Sequence, residues 1–216
     1  NNNQVYCLSG NYNGGSINAG NGAVIRLCGT GFLQNVNLNN GAQLLITDGA
    51  EVRIQNLNLN NSTSLTVYDG AELELSNTFS PNGNVSNWGE MEIQALNLNA
   101  PVTFDNYGDV NLGTSSNSSI NQDLNNYGSF TAGANLTING GATVLNQCSF
   151  EVKGDLQLNG TNENYGFFEV EGRTTINGGA FFNLYDGAMA LTEDLQLYGT
   201  IAGFGQVSLY KVEELS

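Results

Sequence analysis

The sequence predicts an all-β protein, a parallel β-helix in which roughly nine to ten coils of about 20 residues stack as a three-sided β-solenoid. Three observations predict it. A turn residue followed by Gly recurs at a near-constant interval, short strands of the form apolar–x–apolar lie between these marks, and the same residue types return at the same places in successive repeats.

The turn mark stands at Asp48-Gly49, Asp69-Gly70, Trp88-Gly89, Tyr107-Gly108, Tyr127-Gly128, Tyr165-Gly166, Asp186-Gly187 and Phe204-Gly205. Neighbouring glycines lie 18 to 21 residues apart, except for one gap of 38. That gap is two repeats, and Cys148 falls where the missing Gly should stand. A propeller blade would need about 40 to 45 residues.

Each repeat carries three short strands. One reads Leu57-Asn58-Leu59, Leu65-Thr66-Val67 and Leu73-Glu74-Leu75, and the repeat before it Val36-x-Leu38, Leu44-x-Ile46 and Val52-x-Ile54. Further along come Leu96-x-Leu98, Val102-x-Phe104 and Val110-x-Leu112, then Leu136-x-Ile138, Val144 and Phe150-x-Val152. Two apolar residues around a polar one send two side chains inward and one outward. A single coil cannot bury such a slice of core, but neighbours above and below can.

The third observation is a pair of Asn columns. Asn39, Asn60, Asn99, Asn139, Asn159 and Asn177 follow the first strand of each repeat, and Asn87, Asn106, Asn126, Asn146 and Asn164 stand two before the turn Gly or Cys148. Stacked amides bond from layer to layer, and Asn also tolerates the left-handed backbone of a tight corner. The Asn richness is therefore structural. We read residues 1–216 as one solenoid domain, with 1–35 as irregular N-terminal coils or a cap, 36–209 as regular coils and 210–216 as an exit segment. Residues 76–87 and 113–123 break the pattern and predict irregular corners.

Composition restricts function. Twenty Asp and Glu against five Lys and Arg give a net charge of −15, with no His. Such a surface repels phosphate backbones, which excludes nucleic acid as a partner, and it lacks a basic patch for anionic lipid. Without His the usual general base and the commonest metal ligand are gone. No segment is apolar enough to span a membrane. The start, Asn1-Asn2-Asn3-Gln4, reads as a processed or trimmed end.

Cys7 and Cys28 stand one repeat apart, so stacking would bring them within reach of a disulfide, as suits an oxidising compartment. The alternative is two small buried hydrophobes. Cys148 has no partner at the repeat spacing and reads as a free buried thiol.

Two columns are candidate sites. Glu51, Glu72, Glu90 and Asp109 each precede the third strand of successive repeats, with Glu74 and Glu92 close by. Stacked like charges repel, and Ca²⁺ would relieve them; the alternative is a solvated acidic face. No cofactor is required by the sequence, and calcium is the one candidate. Trp88, Tyr107, Tyr127, Tyr165 and Phe204 precede the turn glycine and form a candidate platform for sugar rings or another strand, or else a self-stacked corner. Polysaccharide cleavage would need clustered carboxylates with Arg or Lys, whereas Arg26, Arg53, Lys153, Arg173 and Lys211 are scattered. The expectation is no enzyme. Ice binding would want a regular Thr column, but Asn37, Asn58, Asn97, Thr137, Gln157 and Gln196 are mainly amides.

The units Asn126-Tyr127-Gly128-Ser129-Phe130, Leu136-Thr137-Ile138-Asn139-Gly140 and Asp155-Leu156-Gln157-Leu158-Asn159-Gly160 resemble the repeats of large secreted surface proteins of Bacteroidota-type bacteria, adhesins and filament proteins. The resemblance covers about residues 15–210. It implies a secreted, extracellular or cell-surface protein without catalysis. The expected partners are copies of itself or further repeats of a longer protein, through open strand edges at the ends of the rod, and glycans, through the aromatic column. The expected function is an adhesin segment or an extracellular filament subunit, with an ice- or glycan-binding module as the alternative.

Overall fold

The computed structural model describes residues 5–210 of the 216-residue chain. Every regular element among them is a β-strand, and every strand pairing is parallel. Ten coils stack in order, with part of an eleventh above them, so the chain is a β-solenoid. At about 4.8 Å per coil, ten coils span roughly 50 Å.

The three strands of each coil fall on three faces. The second face is an 11-stranded sheet running from Val5–Leu8 to Thr200–Gly203, one strand per coil. The first and third faces share one 15-stranded path, because strands such as Glu51–Leu59 and Met189–Leu197 run from the third face round into the first. In the middle coils this junction is broken, as between Asp109–Leu112 and Ser118–Ile120. Alternation sets what is buried: Val52, Ile54, Leu57 and Leu59 point in, and Glu51, Arg53 and Asn58 point out. Each inward position repeats in register, so Phe130, Phe150 and Phe168 stack at 4.6 and 4.9 Å between ring centroids.

Two kinds of corner join the second face to the third. The longer kind is Thr47-Asp48-Gly49-Ala50, Tyr68-Asp69-Gly70-Ala71 or Tyr185-Asp186-Gly187-Ala188, with its Gly at φ of 71°, 73° or 81° and its Ala buried. The shorter kind has two residues, as in Trp88-Gly89 and Tyr127-Gly128. Here glycine is needed for closeness: a Cβ on Gly128 would lie 2.1 Å from the Gly108 carbonyl oxygen. Before the short corners from Trp88-Gly89 to Tyr165-Gly166 the inward residue is Asn, and before the long ones it is Ile46, Val67 or Leu184; the short corner Phe204-Gly205 follows Gly203 instead.

The structure differs from the sequence reading in three places, and at residues 76–87 it agrees with the irregularity expected there. Residues 5–35 are not an irregular cap, since Val5–Leu8, Tyr12–Asn13, Ser16–Ala19 and Val24–Leu27 pair in register as ordinary strands. Their Gly- and Asn-rich turns hid them. The strand expected at Val102-x-Phe104 is Phe104–Asn106, because its second inward position is Asn106. The irregular stretch 76–87 holds a register shift opposite Ile93 and Ala95. Cys148, expected to be buried, is exposed, because the corner glycine that it replaces sits at the rim of the coil. Asn1–Gln4 and residues 211–216 lie outside the described residues.

Candidate functional site

The first candidate is the inner amide spine. Asn87, Asn106, Asn126, Asn146 and Asn164 are fully buried, and the Nδ2 of each of the first four donates to the next coil's Asn Oδ1 at 2.8, 2.7, 2.8 and 2.7 Å. The same nitrogens donate to backbone carbonyls that the short corners turn inward, as Asn126 does to Gly128 and Ser149. The spine stops at Val67 below and Leu184 above, leaving Asn87 Oδ1 without a partner. This is scaffolding.

The other Asn column is three short ladders rather than one. Asn60 bonds Asn39, Asn121 bonds Asn99, Asn139 bonds Asn121 at 2.6 Å, and Asn177 bonds Asn159. Asn121, which the repeat spacing missed, is thus the neighbour of Asn139 in place of Asn99. These residues are exposed or half-buried. The first face carries a further outward array that the sequence reading did not single out as a ladder. Asn58 bonds Asn37 and Asn37 bonds Asn18, while Asn77 bonds Asn56 and Asn56 bonds Asn35.

The acidic column is in register. Glu51, Glu72, Glu90 and Asp109 are successive partners on the third face, flanked by Arg53, Glu74 and Glu92 along a shallow groove. Arg53 pairs with Glu74 at 3.0 Å, in an exposed position where such pairs contribute about 0–1 kcal/mol. Partial burial, then repulsion from Glu72, Glu92 and Asp109, raises the Glu90 carboxyl above its ordinary value. One carboxylate per coil forms a line, and no group of three or more acidic or Cys side chains converges as a metal cage among the described residues.

Trp88, Tyr107 and Tyr127 stack in one column at centroid distances of 4.0 and 4.8 Å, with planes 9° apart in both pairs. Tyr165 stacks on Tyr185 at 3.8 Å. Backbone pairing places Tyr68, Gln147, Tyr185 and Phe204 in the same column, so Gln147 separates the two stacks. The sequence reading omitted Tyr68 and Tyr185 because they stand two before their glycines, in the longer corners. The rings cover one another's faces and present edges to solvent. Phe204, 90% exposed, is the most open ring of the column.

Cys7 and Cys28 are free thiols here. Cys7 is level with Arg26, and Cys28 follows two residues later, so the two are offset rather than stacked. Their thiols still meet: a hydrogen bond with Cys28 holds the Cys7 thiol above its ordinary pKa. Neither is fully buried. The cations lie on separate coils, Lys153 between Glu151 and Glu171 and Arg173 against Asp194.

Comparison with protein-family models, with curated proteins and with solved structures finds no match. Among the described residues no helix is long and apolar enough to cross a membrane.

Proposed function

We propose that the chain is a non-catalytic structural rod, secreted or displayed at a cell surface, serving as a segment of an adhesin or as a subunit of an extracellular filament. The observation that carries this reading is the last described coil. Val207 and Leu209 occupy inward positions there but are 36% and 50% exposed, while Ala190, the partner beneath Val207, is 4% exposed. Strands Thr200–Gly203 and Gln206–Leu209 pair on one side only among the described strands. Among the described residues this slice of core and these two strand edges are where a further coil would stack, from residues that follow in the same chain or from a second copy. The likeness to Bacteroidota-type surface repeats supports the reading, since the quoted units are a corner and two first-face strands of this stack. Arg53, Lys153 and Arg173 lie on separate coils, each against a carboxylate, which supports a non-catalytic reading.

Sedimentation and negative-stain electron microscopy test it. End-to-end rods are expected at high salt with or without EDTA, because the joint is backbone pairing and burial. A joint through the acidic column would instead need divalent ions. The double variant Val207→Lys/Leu209→Lys should shift the rods to single units. A 22.9 kDa species under every condition would remove the filament reading and leave the adhesin segment.

A second reading rests on the exposed amide array of Asn18, Asn37, Asn58, Asn35, Asn56 and Asn77. Held in register, these amides suit a hydroxyl-rich periodic surface, a glycan or ice. Thermal hysteresis and pull-down on insoluble polysaccharide test that reading.

A further inference from the structure

We propose that Tyr165 and Tyr185 form a site of oxidative cross-linking, where a one-electron oxidant joins the two phenols as dityrosine across adjacent coils. The proposal is independent of the rod's cellular role. The two rings lie 3.8 Å apart with planes 7° from parallel, the closest ring pair among the described residues. The Tyr165 hydroxyl lies close enough to that of Tyr185 to push its pKa up, after the larger effect of Glu163, so the two rings point the same way. Both side chains stand at the rim, 45% and 38% exposed, within reach of an oxidant in solvent.

A proton acceptor is in place. The Tyr185 hydroxyl donates to Glu163 Oε2 at 2.6 Å, and Asn183 Nδ2 holds the other carboxylate oxygen at 2.9 Å. A phenol gives up an electron far more readily when its proton leaves with it, and a carboxylate at hydrogen-bond distance takes that proton. The Tyr107–Tyr127 pair is wider, at 4.8 Å, and the nearby Asp105 carboxylate accepts instead from Asn125.

The step balances. Each phenol loses one electron and one proton, giving two phenoxyl radicals with spin on their ortho carbons. Those carbons form one C–C bond, and each ring regains aromaticity as its ortho hydrogen moves to the oxygen. Two electrons and two protons leave in all. A peroxidase with hydrogen peroxide accepts them, reducing the peroxide to two waters. The product fastens the ninth coil to the tenth.

The test treats the intact protein, dilute, with peroxidase and hydrogen peroxide, and reads dityrosine fluorescence and cross-linked peptides by mass spectrometry. The expected product is a monomer lighter by two hydrogens, with Tyr165 joined to Tyr185. Tyr165→Phe and Tyr185→Phe keep a ring in the stack and should each abolish that peptide. Glu163→Gln should slow its formation by about tenfold or more. Dityrosine mapped mainly to other pairs, formed only between molecules, or not formed at all would overturn the assignment. So would an undiminished intramolecular yield in Tyr185→Phe.

Discussion

Position 162 places an amide where the second face otherwise buries hydrocarbon. Its column runs Ile25, Leu44, Leu65, Val85, Phe104, Leu124, Val144, Asn162 and Phe182, all buried. Neither amide atom of Asn162 has a hydrogen-bond partner, in contrast to Asn164 two residues on. An unpaired buried amide costs roughly 1–3 kcal/mol. Asn162→Val, which copies the residue one coil below, should therefore raise stability by about that amount. Thermal or urea unfolding checks it, and a loss of stability would mean that the amide has a partner such as a buried water.

Corners are the elements that decide which amides matter. Asn126 links three acceptors and one donor, whereas the side chain of Asn139 makes one ladder bond, to Asn121, at a half-buried rim. Asn126→Leu should cost about 3–4 kcal/mol and Asn139→Leu less than about 1 kcal/mol. Urea midpoints at unchanged m-value measure both; equal losses would sink the distinction between spine and rim. The sequence made the corners legible because glycine and Asn must recur where coils approach closely. Asn106 and Asn146 were legible as a stacked, bonded column but not as inward strand positions, since a polar letter in an apolar–x–apolar pattern reads as a strand end. Tyr68 and Tyr185 were hidden for a related reason: corner length varies, so counting back from glycine loses the column. The acidic line was readable because a strand keeps strict register. No local pattern, by contrast, announces which rings will cover each other.

Taken whole, the molecule is held by neighbour contacts alone, coil on coil, as in other repeat arrays. Ser129–Ala132 and Ser149–Val152 are direct partners in register, so residues 129–148 are one interchangeable unit. Their deletion joins Gly128 to Ser149 and lays Ser149–Val152 on Asp109–Leu112, the present seat of Ser129–Ala132. The shortened chain should fold, retain its β circular dichroism and lose roughly 4.8 Å of length in small-angle scattering. Deletion of half that segment should instead give a destabilised or aggregated product, since the remaining half-coil is too short to close and its strands no longer lie on their partners.

The inner spine also has a direction. Its amides all donate toward the C-terminal end of the rod, from Asn87 to Asn164, while the rim ladders donate toward the N-terminal end, as Asn60 does to Asn39 and Asn177 to Asn159. Aligned amides polarise one another along each row. The outward array on the first face also donates toward the N-terminal end, as Asn58 does to Asn37 and Asn77 to Asn56, so the inner spine opposes both outer sets and offsets part of their field.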